Sequence, residues 1–234
     1  MNFFSEYPRF FLTSKIGTEP ERLNRCHDVL IQKNVDLIRG RRVLDIASHD
    51  GRWAFAALKA GAAHVTGIEV RQQLVSNAEE TFAHYGIPAE RYSFLCGDFF
   101  DAARDLTCFF DTAFCFGFFY HTLRHAELLT QVHRLKASAV IIDTAIVPAP
   151  AAEASLHLRR EPAGDEGNGS PLSGAVSDEA IVGVPTVGAV VMLLDYFGYS
   201  AEVVDWWDYL SVARDITDLA DYAAGERTTI IGRR

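Results

Sequence analysis

The chain predicts a Rossmann-like α/β fold, a mostly parallel sheet with helices on both faces, and three observations carry the prediction. Short apolar runs alternate with helical patterns between residues 40 and 145. An acid stands at the end of each of the first three runs or in the turn just after it: Asp45, Glu69 and Asp98. The segment after Asp45, Ile46-Ala47-Ser48-His49-Asp50-Gly51, is a turn of mostly small residues that opens a helix. Alternation at this pace builds a parallel sheet with right-handed crossovers. Such sheets bind ligands at the carboxyl ends of their strands.

Each element has its own signal. Residues 1–18 are aromatic and irregular, and with the helix that follows they form an arm over 1–39. That helix starts with Thr18 as N-cap and Pro20 in its first turn, runs to about Ile38 and ends at Gly40. Strand one is Arg42 to Asp45. The next helix begins near Gly51 and stops at Gly61, followed by strand two, Val65 to Glu69. A helix from Gln72 to His84, closed by Gly86 and Pro88, leads to strand three, Tyr92 to Leu95. Strand four is Asp111 to Phe116, then come a helix from His125 to Leu135 and strand five, Ala139 to Asp143. Residues 148–180 hold many prolines and glycines and read as a long loop, expected to act as a mobile lid or acceptor-binding insertion. A helix over Val187 to Phe197 and strands at Ala201 to Val204 and Thr228 to Ile231 complete one domain spanning 1–234.

Composition bounds the function. With 234 residues and 49% hydrophobic content, the chain can bury one large α/β core. A net charge of −9 argues against a nucleic-acid backbone as partner, which needs a basic footprint. No apolar run is long enough for a membrane span, and Met1 to Glu6 lacks the pattern of a signal peptide. Of the four cysteines, Cys26, Cys96, Cys108 and Cys115, three sit in apolar runs and no Cys-x-x-Cys pair occurs. Buried reduced thiols and a cytoplasmic setting are expected. A homo-oligomer stays open.

The acids choose the ligand. A dinucleotide needs glycines around its pyrophosphate. Here the turn reads Asp-x-Ala-x-His-x-Gly, and the His49 imidazole would crowd a pyrophosphate. A carboxylate at this mouth suits a cationic nucleoside, S-adenosylmethionine (SAM). At Asp45, Ala47, His49 and Gly51 the chain resembles the first motif of the class I SAM-dependent methyltransferases, with Ala47 and His49 in place of two glycines. The resemblance implies a seven-stranded sheet whose last strand inserts antiparallel. It also implies a cofactor site of Asp45, Ala47, Ser48, Gly51, Glu69, Asp98, Phe99, Phe116 and Gly117. Within it Glu69 would take the ribose hydroxyls, Asp98 the adenine amino group, and Phe99 would pack on the ring. Asp45 could instead cap the following helix, as acids at strand ends often do.

Beyond strand four, Phe116-Gly117-Phe118-Phe119-Tyr120-His121 is the stretch that faces the transferred methyl in that fold. Tyr120-His121 resembles the Tyr-His of the wobble-uridine tRNA-modifying methyltransferases and their relatives. A hydroxyl acceptor must lose its proton, and histidine is the natural base. The expected catalytic set is His121, Asp143 and Tyr120. Asp143 would orient His121, contact the acceptor or hold a divalent cation such as Mg²⁺. On a shared helix His121 and His125 would face the same way, but a third zinc ligand is not evident. Arg159 and Arg160 could clamp a polar acceptor, and Trp206-Trp207 could stack on a sugar; solvated and core roles are the alternatives.

The run from Gly40 to Trp53 further resembles the sugar O-methyltransferase group of mycobacterial methylmannose polysaccharide synthesis, and the Val184-Pro185-Thr186 turn fits it. That resemblance implies methyl transfer to a saccharide hydroxyl of a small or oligosaccharide acceptor, in polysaccharide biosynthesis. The rival readings are a wobble-uridine tRNA methyltransferase and a non-catalytic SAM-binding module.

Overall fold

The computed structural model describes residues 2–164, 178–210 and 219–234. Seven strands form a sheet in the order β3-β2-β1-β4-β5-β9-β8, and two more, β6 and β7, form a separate hairpin. The chain divides into two compact units: Met1–Phe114 with Arg134–Ser138, and Cys115–His133 with Ala139–Arg234.

The first unit opens with the aromatic arm. It is not irregular: two 3₁₀ turns, Phe3–Glu6 and Pro8–Phe11, bury Phe3, Phe4 and Phe10. Phe3 stacks on His27 at 4.1 Å, and the Phe4 N–H donates to Asn24 Oδ1 at 2.8 Å. Burial pushes the His27 imidazole down to about 4. Helix α1 (Pro20–Leu30) has Glu19, not Thr18, at its N-cap, with Pro20 in the first position. It stops at Leu30 rather than Ile38, because the buried Asn34 amide donates to the carbonyls of Val29 (3.0 Å) and Leu30 (3.2 Å). That side-chain cap replaces the continuing helix, and a short α2 (Val35–Ile38) follows.

Strands β1 (Arg42–Ile46), β2 (His64–Glu69) and β3 (Tyr92–Cys96) pair in parallel, with Asp45 opposite Gly67 and Glu69 opposite Cys96. Helices α3 (Arg52–Lys59), α4 (Gln72–His84) and α5 (Phe99–Asp105) alternate with them. Strand β4 (Thr112–Phe116) leaves this unit at Phe114. Cys26 and Cys115 are buried, whereas Cys96 is exposed and Cys108 half-buried, and none of the four forms a disulfide among the described residues. The expected burial of the thiols therefore holds only in part, since Cys96 stands at the exposed end of the edge strand β3.

In the second unit, α6 (His125–Arg134) precedes β5 (Ala139–Ala145), which is buried over its first six residues, as its apolar run requires. Strand β5 continues two residues past Asp143, so this acid is not at the strand end. Residues 156–185 are not a bare loop. Strands β6 (Leu156–Pro162) and β7 (Glu179–Pro185) pair antiparallel, Leu158 opposite Gly183 and Glu161 opposite Ala180. Residues 165–177 of the expected lid lie outside the described residues. Thr186 ends the hairpin and caps α7 (Val187–Tyr196), accepting from the Ala189 N–H at 3.2 Å. Then come β8 (Ser200–Val203), the short helices α8 (Trp207–Leu210) and α9 (Ala220–Ala223), and β9 (Arg227–Arg233). Strand β9 runs antiparallel to both β5 and β8, as the methyltransferase sheet requires. Among the described residues no helix is long and apolar enough to cross a membrane.

Candidate active site

In the first unit the turn after β1 is bent tightly back on β2. Ala47, His49 and Gly51 have φ of 55°, 54° and 75°. These are the alternate positions that hold glycine in the methyltransferase motif, so the left-handed path survives although two glycines do not. Alanine is disfavoured there and histidine tolerated better. Gly51 is irreplaceable on packing grounds as well: a Cβ would stand 2.8 Å from the Phe94 ring and 2.9 Å from Ala78.

The turn is held from below and above. The Ser48 N–H donates to the Ile68 carbonyl at 2.9 Å, and the His49 N–H to Glu69 Oε2 at 3.1 Å. Glu69 Oε1 also accepts from the Arg71 N–H at 3.0 Å. Above, Asp50 is fully buried between Arg52 (Nε to Oδ1, 2.7 Å; Nη2 to Oδ2, 2.8 Å) and the Thr13 hydroxyl at 2.7 Å. The Arg52 guanidinium and the His49 imidazole hold the Asp50 carboxyl well below the usual range, against its burial. Arg52 also donates to the Gly17 carbonyl, and Asn77 to the Thr13 carbonyl at 2.7 Å. The arm over residues 13–17 is thereby tied to the turn, a link the sequence did not signal.

Asp45 is 1% exposed, and among the described residues neither its Oδ2 nor the buried Ser48 Oγ has a hydrogen-bond partner. Burial pushes the Asp45 carboxyl up to about 8, opposed by the Ala54 N–H of the α3 first turn and reinforced by Glu69 and Asp50. The Ala54 N–H of α3 favours the charged carboxyl, and among the described residues Oδ2 is left without a partner. Asp98 caps α5, its Oδ1 accepting from the Phe100 N–H at 2.8 Å, and Phe99 is buried against Phe100 with ring centroids 5.5 Å apart. These residues fit a cationic nucleoside: a buried carboxyl oxygen without a partner among the described residues, a second acid and a left-handed turn.

In the second unit, Gly117 follows Phe116 with φ 76°, and its N–H donates to the Asp143 carbonyl at 2.8 Å. A 3₁₀ turn, Phe119–His121, presents Tyr120 and His121, whose rings lie 4.0 Å apart. Thr122 is extended and α6 starts only at His125, so His121 and His125 do not share a helix. His125 is buried against Phe119 at 4.6 Å, and burial lowers its pKa.

The carboxylate on His121 is Glu161, not Asp143. His121 Nδ1 lies 2.8 Å from Glu161 Oε2 and 2.9 Å from Oε1, both side chains largely buried. Glu161 lies on β6, within the stretch expected to form the lid. Asp143 has other partners: Oδ1 accepts from Thr229 (2.8 Å) and Tyr222 (3.0 Å), and Oδ2 from Arg227 Nε (2.7 Å) and Nη2 (2.5 Å). With both oxygens engaged by protein donors, Asp143 is poorly placed to ligate a cation or touch an acceptor. Among the described residues no group of three His, Cys, Asp or Glu side chains is placed to hold a metal ion. Trp206 is buried, stacked on Tyr222 at 3.7 Å, while Trp207 is exposed. Arg160 pairs with Glu179 at 3.4 Å on the surface.

The fold is that of the class I SAM-dependent methyltransferases, and residues 43–138 match the family described as a methyltransferase domain. Over 104 residues the chain is 33% identical to the sphingolipid C9-methyltransferase of Candida albicans and 31% identical to sphingolipid C9-methyltransferase B of Emericella nidulans. Each match takes in 42% of this chain and 20% of the relative, so the matched stretch spans about a fifth of those proteins. Among solved structures, the N-terminal domain of EvdMO1, crystallised with S-adenosylhomocysteine (SAH) and D-fucose, superposes with a TM-score of 0.62 at 17% identity, covering 88% of this chain and 82% of that one. A SAM-dependent methyltransferase from Mesorhizobium loti gives 0.60 at 15% identity, covering 89% and 98%. Magnesium protoporphyrin IX methyltransferase from Synechocystis, with bound SAM, gives 0.57 at 12%, covering 99% and 93%. At these identities the likeness is one of fold.

Proposed function

We propose that this protein transfers a methyl group from SAM to a hydroxyl of a small polar acceptor, a saccharide in the reading we favour. The observation that carries the proposal is the buried His121–Glu161 pair in the turn after β4. Asp45 and Glu69 would hold the cofactor's ammonium and ribose ends, with Ala47, Ser48 and Gly51 forming the turn around it. Asp98 and Phe99 would border the adenine, and Phe116 and Gly117 the methyl. Bound SAM supplies an electrophilic methyl on a sulfonium centre. His121 accepts the acceptor's hydroxyl proton as the oxygen–carbon bond forms and the carbon–sulfur bond breaks. In the tautomer that donates Nδ1–H to Glu161, the lone pair for that proton is on Nε2. Glu161 fixes the ring and stabilises the imidazolium that results. Tyr120 packs against the ring and limits its rotation. The D-fucose of the EvdMO1 crystals and the resemblance of Gly40 to Trp53 to a sugar O-methyltransferase group favour a saccharide.

The relatives' name supplies a second reading, a sphingolipid acceptor. The exposed Leu156, Leu158 and Ile181 of the hairpin favour it, since an apolar surface suits a lipid chain. Incubation with methyl-labelled SAM and a panel of monosaccharides, oligosaccharides and ceramides separates the readings. Label in a saccharide that base does not hydrolyse, as expected of an ether, supports the proposal. Label only in the ceramide, or in no acceptor, overturns it.

A further inference from the structure

We infer that Arg227 is an oxyanion anchor, and that the acceptor carries a carboxylate near the hydroxyl that is methylated; this rests on the hydroxyl-transfer reading above. Three observations of the second unit lead there. First, Arg227 is only partly consumed by its ion pair. A guanidinium has five N–H donors in a planar fork. The Nε and Nη2 groups serve Asp143, and Nη1 has no partner among the described residues. The side chain is nevertheless 13% exposed, so the outer edge of the fork is not sealed in the core.

Second, its position is fixed. Asp143 is itself held by Tyr222 and Thr229, and Thr229 accepts from the Trp206 indole N–H at 3.2 Å. A side chain locked in this way loses little entropy on binding. Burial works against the charge, but Asp143 and the neighbouring phenols more than offset it, so the guanidinium stays protonated throughout.

Third, Arg227 and His121 both lie against the Tyr120 ring. The guanidinium carbon is 5.7 Å from the centre of the Tyr120 ring, and that ring is 4.0 Å from the His121 ring. A Cβ on Gly117 would lie 3.6 Å from Arg227 Nη2. A hydroxy acid can therefore reach from the imidazole to the fork. The remaining donors match the two oxygens of a carboxylate in a bidentate geometry that lysine cannot reproduce. On β6, Arg159 adds an exposed cation two residues before Glu161, on the same strand face.

The test uses matched acceptor pairs with labelled SAM: glucuronate against glucose, and salicylate against salicyl alcohol. The wild-type protein should methylate the acid of at least one pair at least tenfold faster, in kcat/KM, than its neutral partner. Arg227→Lys, which keeps the charge for Asp143 but loses the fork, should reduce that ratio at least fivefold through KM; SAH affinity and the melting temperature report whether it folds. Preference for the acid in the salicylate pair alone would keep the anchor and remove the saccharide. Methylation of neutral sugars without preference for the acid would overturn the anchor and keep the saccharide reading. A preference unchanged in a folded Arg227→Lys protein, or no transfer to any member, also overturns the anchor.

Discussion

Glu161 holds the His121 ring by its Nδ1 atom at 2.8 Å, across 40 residues of sequence. The bond ties the hairpin strand β6 to the turn that follows β4. Nearly all of both side chains is removed from water, where a charge-assisted bond is stronger than at a surface. The hairpin is therefore anchored directly to the turn that carries His121.

Asp45 should make stability and cofactor affinity depend on pH in opposite senses. Its folded value of about 8 lies above the ordinary 3.8, so the folded state holds the proton longer. The stability this group contributes is complete below about pH 4 and is lost as pH rises toward 8, by at most about 1.4 kcal/mol per pH unit. The ligand's ammonium group favours the ionised form, so SAH should bind more tightly as pH rises over the same window, with proton release. Calorimetry in two buffers of different ionisation enthalpy measures that release. Asp45→Asn should remove it; an SAH affinity independent of pH between 5 and 8 would count against a contact with Asp45.

Asp143 should behave as a structural residue. Asp143→Ala leaves Arg227 partly buried without its counter-ion and strands the Tyr222 and Thr229 hydroxyls. The expected loss is about 3–5 kcal/mol, read in urea unfolding. A variant as stable as the wild type yet inactive would return Asp143 to the chemistry.

The turn stores strain that glycine would release. Ala47→Gly removes a Cβ from a position with φ 55° and should stabilise the protein by about 1 kcal/mol. A rise in melting temperature without weaker SAH binding is expected. A drop would mean that the methyl group packs better than its backbone angle suggests.

The strands and turns that carry the proposed cofactor residues are legible in the sequence because their signals are local. Asp45, Glu69 and Asp98 are read from short apolar runs ending in acids, and Gly51 from the turn. Strands one to five were found for the same reason, within one or two residues. The contacts around His121 and Asp143 are not, because their partners are remote in sequence. Glu161 lay inside a Pro- and Gly-rich stretch read as a loop, although Leu156-x-Leu158 and Ile181-Val182-x-Val184 carried a strand signal. Arg227 precedes a short apolar run, and nothing local ties it to Asp143, 84 residues earlier. The Asn34 cap that ends α1 was likewise invisible to helical periodicity.

Single-turnover methyl transfer by His121→Ala and Glu161→Gln, with SAM saturating and an acceptor the wild type methylates, tests the base most directly. Removing a positioned base costs roughly 10²–10⁴ in rate, so His121→Ala should fall by that much with SAH affinity near that of the wild type. Glu161→Gln, which keeps a hydrogen bond but not the charge, should fall less, in kcat more than in KM. Wild-type single-turnover rates in a folded His121→Ala protein would contradict the proposed chemistry at this site.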